Sequence, residues 1–258
     1  MQPSLGFIGT GYISSVMITG LCSSQNPPEK IIVSPRNSEQ SAQLADKFSQ
    51  VRIAQNNQEV LDNSEWVFLA LRPDMASSVL PELQFRPEQV VISVMAIITQ
   101  AEVKDLVQPV QEIYRAVPLP PASRRLGPLV YYPQDKKIAN LLQNIGQPIG
   151  VKSERELLVL WALTALIAPY FGLMHSLQDW AVSKGTNKDL AAEYIASMFY
   201  AHSVLATEGE SDRFEKMVAD LALEGSLNEQ ALQEVRANAF PSFGQALDSV
   251  LKRLGVNS

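Results

Sequence analysis

The chain of 258 residues has one cysteine, Cys22, and only two histidines, His175 and His202. A single thiol cannot form an internal disulfide, so a reducing compartment is the natural home and a cytoplasmic protein is expected. With no cysteine pair and no clustered histidines, metal-ligand spacing is absent and no metal is expected. Charge is also sparse: charged residues make up 19% of the chain and the net charge is −6. That balance argues against broad, salt-driven contact with nucleic acid or an acidic membrane, but leaves room for a local basic pocket. The opening Met1-Gln2-Pro3-Ser4 lacks the positive region of a signal peptide and enters an apolar strand at once, so no secretory leader is expected. One run needs weighing as a membrane candidate: Leu157–Met174 is predominantly apolar and carries no charge over 18 residues, at the lower edge of a spanning helix. Thr164, Pro169 and Gly172 interrupt it and no aromatic-and-basic frame flanks it. It reads as a helix buried in a core or a subunit interface, not as a membrane anchor.

What is present is a regular alternation. Short apolar runs at Ser4–Ile8, Lys30–Ser34, Arg52–Ala54, Trp66–Leu71, Val90–Met95, Ile113–Val117, Leu129–Tyr132 and Ile149–Val151 read as strands. Segments with helical spacing separate the first six, at Tyr12–Ser23, Ser38–Phe48, Asn57–Asn63, Ala76–Leu83 and Gln100–Leu106. Strands alternating with helices predict an α/β fold with a parallel, doubly wound sheet. From Ser153 onward the spacing is helical only, at about 153–180, 187–207, 211–223, 227–238 and 243–254, punctuated by Gly185, Gly209, Gly225 and Pro241. Two domains are expected, a dinucleotide-binding Rossmann domain over 1–152 and an all-helical domain over 153–258 for substrate and dimerisation.

The first strand ends in Gly6-Phe7-Ile8-Gly9-Thr10-Gly11-Tyr12-Ile13-Ser14. Gly9 permits a sharp strand-to-helix turn, Gly11 leaves room for a pyrophosphate, and small Ser14 lets helix and strand pack closely. The helix start then offers free amides and a positive dipole end, so Gly9, Thr10, Gly11, Tyr12 and Ile13 are expected to grip the phosphates. NAD sites place an acid at the end of the second strand. Here that stretch reads Ser34-Pro35-Arg36-Asn37-Ser38. Ser34 and Arg36 suit a 2′-phosphate through charge-assisted hydrogen bonds, so NADP is expected in preference to NAD.

The ordered set of motifs resembles the pyrroline-5-carboxylate reductase family. Besides Gly6–Ser14, it includes Val67-Phe68-Leu69-Ala70-Leu71-Arg72-Pro73, Ile92-Ser93-Val94-Met95-Ala96 and Arg115-Ala116-Val117-Pro118. The resemblance implies that Asn56, Ala70, Leu71, Arg72 and Pro73 line the cofactor, and that Ser93, Met95 and Ala96 lie near the nicotinamide. It also implies a reductase transferring hydride between NADPH and a cyclic imine in proline biosynthesis, and a homodimer or higher homo-oligomer. Departures are equally visible. The family's substrate loop, Ser-Pro-Gly-Gly-x-Thr, becomes Leu223-Glu224-Gly225-Ser226-Leu227-Asn228, and the glycine after Ala96 becomes Ile97. Asn228 is a candidate substrate-positioning residue, while Ser226 and Glu229 form a capping-box pattern. His175 and Lys184 are candidate proton donors, although packing and solvation are their default roles. The altered loop keeps two other readings open: a reductase or dehydrogenase of the same fold acting on another imine or a hydroxy acid, and a dinucleotide sensor without catalysis.

Overall fold

The structure is a computed structural model and describes residues 3–256. All eight expected strands form, in one sheet of order β3-β2-β1-β4-β5-β6-β7-β8. They are β1 (Leu5–Ile8), β2 (Ile31–Val33), β3 (Val51–Ile53), β4 (Trp66–Leu69), β5 (Val90–Ser93), β6 (Glu112–Val117), β7 (Pro128–Tyr132) and β8 (Gln147–Gly150). The helices between them are α1 (Tyr12–Cys22), α2 (Ser38–Lys47), α3 (Asn57–Asp62), α4 (Pro73–Val79), α5 (Gln100–Leu106) and α6 (Lys136–Leu142).

Successive strand residues point to opposite faces, and both faces are covered. Phe7, Ile31, Val33, Phe68 and Ile92 join α1, α2 and α6 in one core cluster. Ile8, Ile32, Val67, Leu69 and Val91 join α3, α4 and α5 in the other. At the centre Phe7 opposes Phe68 across the β1–β4 pair, with ring centroids 4.6 Å apart.

The sheet departs from the all-parallel expectation at one place. β7 runs antiparallel to β6. The link between them carries only a short 3₁₀ turn at Pro120–Arg124, and a link without a crossover helix reverses the chain more readily than it returns it parallel. The following helix α6, unmarked in the sequence reading, restores a crossover, and β8 pairs parallel with β7.

The chain divides into two compact units, one running up to Trp161 with Arg253–Val256, the other covering Ala162–Lys252. The helix α7 (Glu154–Leu163) belongs largely to the first. Its Leu157 is buried against Val117, Val130 and Val151, with Leu160 and Trp161 packed alongside. The second unit holds α8 (Ile167–Ser183), α9 (Lys188–Leu205), α10 (Arg213–Leu221), α11 (Leu227–Arg236) and α12 (Ala239–Arg253). A 3₁₀ turn at Thr164–Leu166 splits the single long helix expected over 153–180. Pro241 sits inside the first turn of α12 instead of ahead of it, where a missing N–H breaks no helical bond.

α8 and α9 form a hairpin: Lys184 ends α8, Asn187 caps α9 through its side chain, and Tyr170 packs edge-on against Phe199. The stretch Glu154–Ser183 is long enough to cross a membrane and contains an 18-residue window of mean hydropathy 2.0, of which only 17% is buried. Of the two expected places, a subunit interface and the core of this chain, the core does not hold for α8, which has no buried residue. Its apolar surface stays uncovered within one chain.

Candidate active site

The order of strands reverses between β1 and β4, the place in an open α/β sheet where ligands settle against the carboxyl ends. Gly9 turns the chain there with φ +97°, and a β-carbon on it would lie 2.5 Å from the Ala70 carbonyl oxygen. Gly11 is the opposite case: a β-carbon there would meet nothing within 4 Å, so open space lies in front of the backbone. Gly11 is also the residue capping α1, and no side chain caps that helix. First-turn amides have no partner within a helix, so α1 presents them, with its positive dipole end, to that open space. A cradle of this kind fits a linked pair of phosphates.

The turn is braced from within. The Gly9 amide donates to Ser34 Oγ at 3.0 Å, and the Thr10 hydroxyl donates to the Ser34 carbonyl at 2.8 Å. Thr10 Oγ1 and Ser34 Oγ are 3.1 Å apart. With the Thr10 proton already used, the Ser34 proton serves that contact. Both side chains are buried. Ser34, expected to meet a 2′-phosphate, thus spends its proton holding the turn. Ser14 adds a brace that its small size alone did not suggest: its hydroxyl donates to the Gly9 carbonyl at 2.5 Å.

The rest of the rim comes from neighbouring strand ends. Arg36 is exposed and reaches across to Met75 Sδ on α4 at 3.3 Å, spanning the loops that follow β2 and β4. Arg72 caps the start of α4 and Pro73 is its first residue, while Ala70 and Leu71 are partly buried. Neither arginine is in an ion pair among the described residues. Asn56 uses its Oδ1 to accept from the Glu59 amide at 2.9 Å, leaving its amide group as the free end. Tyr12 is exposed and Ile13 half-buried.

Beyond β5 the chain makes a tight apolar turn. Ser93 Oγ accepts from the Met95 amide at 3.3 Å, and both residues are buried, so the Met95 side chain belongs to the core. Ala96 is half-buried. Ile97 is in the left-handed region, φ 72°, with its side chain 47% exposed. For a β-branched residue this conformation is an outlier, costing about 1–3 kcal/mol unless the surroundings impose it.

They do impose it. Arg115, 1% exposed, pairs through Nη1 with Glu154 Oε1 at 2.5 Å, and its Nη2 points at the Met95 carbonyl at 3.4 Å. The same Glu154 oxygen accepts from the Gln100 amide at 2.6 Å, and Gln100 Nε2 donates to the Ile113 carbonyl. One half-buried ion pair so holds both ends of the Met95–Gln100 turn. The Arg115 guanidinium also lies 5.4 Å from the Trp161 ring, and its Nε is buried without a partner. The sequence motif marks Arg115, but nothing in the linear chain signals that Glu154 is its partner.

Titration adds little chemistry. Burial pushes the Cys22 thiol up to about 11, so it is no ready nucleophile. Tyr114 is pushed to about 12 by burial and by its hydrogen bond to Asp135. Thr99, through its amide and then its hydroxyl, holds the Glu102 carboxyl below the usual range.

The three proposed catalytic side chains do not form one constellation. His175 is exposed and lies 3.6 Å from Asp179 one helical turn on. Lys184 is exposed at the end of the same helix, nine residues and so roughly 13 Å of rise away. Asn228 is exposed on α11. Ser226 caps that helix by accepting from the Glu229 amide, and the Glu229 carboxylate reaches Gly225 N, one residue ahead of the usual box partner.

Comparison with known proteins agrees with this architecture. Residues 4–97 match a family described as NADP oxidoreductase coenzyme F420-dependent. The pyrroline-5-carboxylate reductase of Pseudomonas aeruginosa is 24% identical over 97% of this chain and 95% of its own length. That of Haemophilus influenzae is 25% identical over 96% and 95%. Among solved structures, a pyrroline-5-carboxylate reductase from Coxiella burnetii superimposes with a TM-score of 0.83 at 24% identity, covering 99% and 98% of the two chains. The Plasmodium falciparum pyrroline carboxylate reductase, solved with NADP bound, gives 0.83 at 16% identity over 98% and 97%.

Sheet order, glycine turn and uncapped helix define a pyridine-nucleotide-dependent oxidoreductase with a Rossmann domain. Aligned along nearly its whole length, the chain is similar to pyrroline-5-carboxylate reductases and shares their fold.

Proposed function

We propose that this chain is an NADP-dependent oxidoreductase reducing the C=N bond of a cyclic imine such as pyrroline-5-carboxylate, and so serving proline biosynthesis. The observation carrying this reading is the open, uncapped start of α1 at Gly11, at the reversal of strand order. Kinship with the reductases along the chain then selects the reaction.

The amides of Gly11, Tyr12 and Ile13 would hold the pyrophosphate. Arg36, at the end of the second strand and in no ion pair among the described residues, favours a 2′-phosphate and hence NADP over NAD. Ala70, Leu71, Arg72, Pro73 and the free amide of Asn56 would line the coenzyme. Ser93, the Met95 backbone and Ala96 would flank its nicotinamide. When bound, the reduced nicotinamide supplies a hydride for the imine carbon. The chain's own task is to hold the acceptor close and in line, and an iminium is electrophilic enough to need no dedicated acid. Asn228 is proposed to position the acceptor, with His175 and Lys184 as further candidates for the proton.

The uncovered apolar faces of α8 and α9, with Phe171, Trp180, Tyr194 and Tyr200 exposed, support a homodimer in which a second copy covers them. The proposed protein is a cytoplasmic homo-oligomer acting on a small molecule, without nucleic acid, membrane or metal.

Fluorescence titration with NADPH and NADH, followed by coenzyme oxidation assays with pyrroline-5-carboxylate and other cyclic imines, tests the reading. Tighter binding of NADPH and turnover of the imine are expected; absence of binding to either coenzyme at millimolar concentration overturns it. A second reading, a coenzyme sensor, draws on exposed Leu223 standing where the resembling loop carries a serine. Tight NADPH binding without turnover of any imine would select it.

A further inference from the structure

We propose that Ile97 is a specificity-determining residue, an apolar wall that limits the size of the ring placed against the carboxyl edge of β5. The inference rests on the reading of that edge as the coenzyme site. Ile97 is one of two described residues other than glycine with positive φ, and the only β-branched one. Its neighbours Met95 and Ile98 are buried, whereas Ile97 stands 47% exposed. β5 pairs with β4, whose other neighbour is β1, and Ile97 follows the carboxyl end of β5 by four residues, at the edge of the sheet where ligands settle.

Packing gives no reason for the strain, since the side chain is not buried. The turn is instead held open at both ends by the Arg115–Glu154 pair, through the Met95 carbonyl and the Gln100 amide. A backbone held in an unfavourable conformation to expose an aliphatic side chain beside a ligand edge is strain stored for recognition. Such a wall disfavours two things: a ring too large to sit beside it, and a carboxylate turned towards it without a partner. Five-membered cyclic imines whose apolar ring edge faces Ile97 are the acceptors it fits.

The test compares the full-length protein with Ile97→Gly and Ile97→Ala. Three quantities are measured: melting temperature without coenzyme, NADPH affinity, and binding of saturated five-, six- and seven-membered cyclic amino acids to the coenzyme-loaded protein, read by NADPH fluorescence. Ile97→Gly should raise the melting temperature, because glycine adopts this φ freely, and should leave NADPH affinity within about threefold. The preference for the five-membered over the seven-membered ring should fall about tenfold in Ile97→Gly, and less in Ile97→Ala, with the ratios of kcat/KM for the matching imines following. A ring preference unchanged within twofold in both variants, with NADPH still bound, overturns the proposal and leaves the functional reading standing. Failure of every protein to bind any of the rings also overturns it. Failure of the parent protein to bind NADPH instead removes the functional reading on which the proposal rests.

Discussion

The two units of this chain bury their apolar residues very differently. In the sheet unit the central strands β1, β2, β4, β5 and β6 are buried almost throughout, from Leu5 and Phe7 to Val91 and Ile92, and helices close both faces. In the helical unit Ala191 and Ile195 are buried, but Trp180 is 64% exposed, Tyr200 73% and Leu227 85%. The amino acids are no less apolar; the geometry differs. A sheet with helices on both sides closes its own core, whereas an apolar helix hairpin needs another surface. The difference separates a part that closes its own core from a part that leaves large apolar side chains exposed within one chain.

The largest effect expected from this contrast is at the stacked pair in the middle of the sheet. Phe68→Ala should destabilise the protein by about 3–5 kcal/mol through the cavity it leaves, at any protein concentration. Urea unfolding at two concentrations checks this. A loss below about 1 kcal/mol would mean that the sheet core is not what holds the first unit together.

Next comes Glu154→Gln, which leaves the buried Arg115 guanidinium without its counter-charge. Stranding one partner of such a pair costs about 3–5 kcal/mol when both are buried. Glu154 keeps a side-chain exposure of 26%, so a loss near 3 kcal/mol or somewhat less is expected. The turn bearing Ile97 should loosen with it, visible as faster amide exchange at residues 95–100. A double variant, Arg115→Met with Glu154→Gln, should recover part of the loss, because no unpaired charge then remains inside.

The helical unit should respond in the opposite way to the sheet. Trp180→Ala removes a ring exposed within one chain, so single-chain stability should change little. If a second copy covers α8, the substitution should weaken the dimer by about 2 kcal/mol, roughly thirtyfold, as truncation of a central aromatic anchor does. Sedimentation equilibrium gives the answer. A wild-type chain that stays monomeric at high micromolar concentration would break the comparison, since the uncovered faces would then need another occupant.

These contrasts also explain what could be read along the chain. Strands buried on both faces are continuous apolar runs, and Trp66–Leu69 and Val90–Ser93 declare themselves for that reason. α6 was silent because its short span opens with Lys136-Lys137 and shows only two buried residues, Ile138 and Leu142. The reversal of β7 was silent because strand direction depends on the path of the link, not on the residues of the strand. At the site, the glycine turn was legible because steric needs leave a residue signature. The uses of Ser34 and Asn56 were not, since a hydroxyl or amide reads the same whether it faces a ligand or its own backbone. The strain at Ile97 is the clearest case. Its position beside Ala96 marked a missing glycine, but only the fold reveals that the isoleucine keeps a glycine-like conformation, held by a pair 39 residues apart.

The smallest expected effect compares like with like, because each unit contains a helix capped by a hydroxyl with a glutamate three residues on. In α5 the Thr99 hydroxyl accepts from the Glu102 amide, and the Glu102 carboxylate accepts from the Thr99 amide at 2.6 Å and from its hydroxyl at 2.7 Å. These bonds favour the charged carboxylate and lower its pKa in the folded chain below the ordinary 4.5. The unfolded chain therefore binds the proton more readily. The cap's contribution is full above about pH 4.5 and is lost as the pH falls through the lowered folded value. Because Glu102 is exposed, solvent limits that contribution to a few tenths of a kcal/mol, up to about 1. Glu102→Gln should remove this part of the acid dependence while leaving the cap hydroxyl in place. Glu229→Gln in α11 should have an effect of similar size near neutral pH, expressed only where the helical unit's own unfolding is observed. Thermal melts of both variants between pH 3 and 7 provide the measurement. A Glu102→Gln protein with the same acid slope as the parent would show that the cap does not contribute to the pH dependence, and that the first unit's low-pH loss comes from another carboxylate.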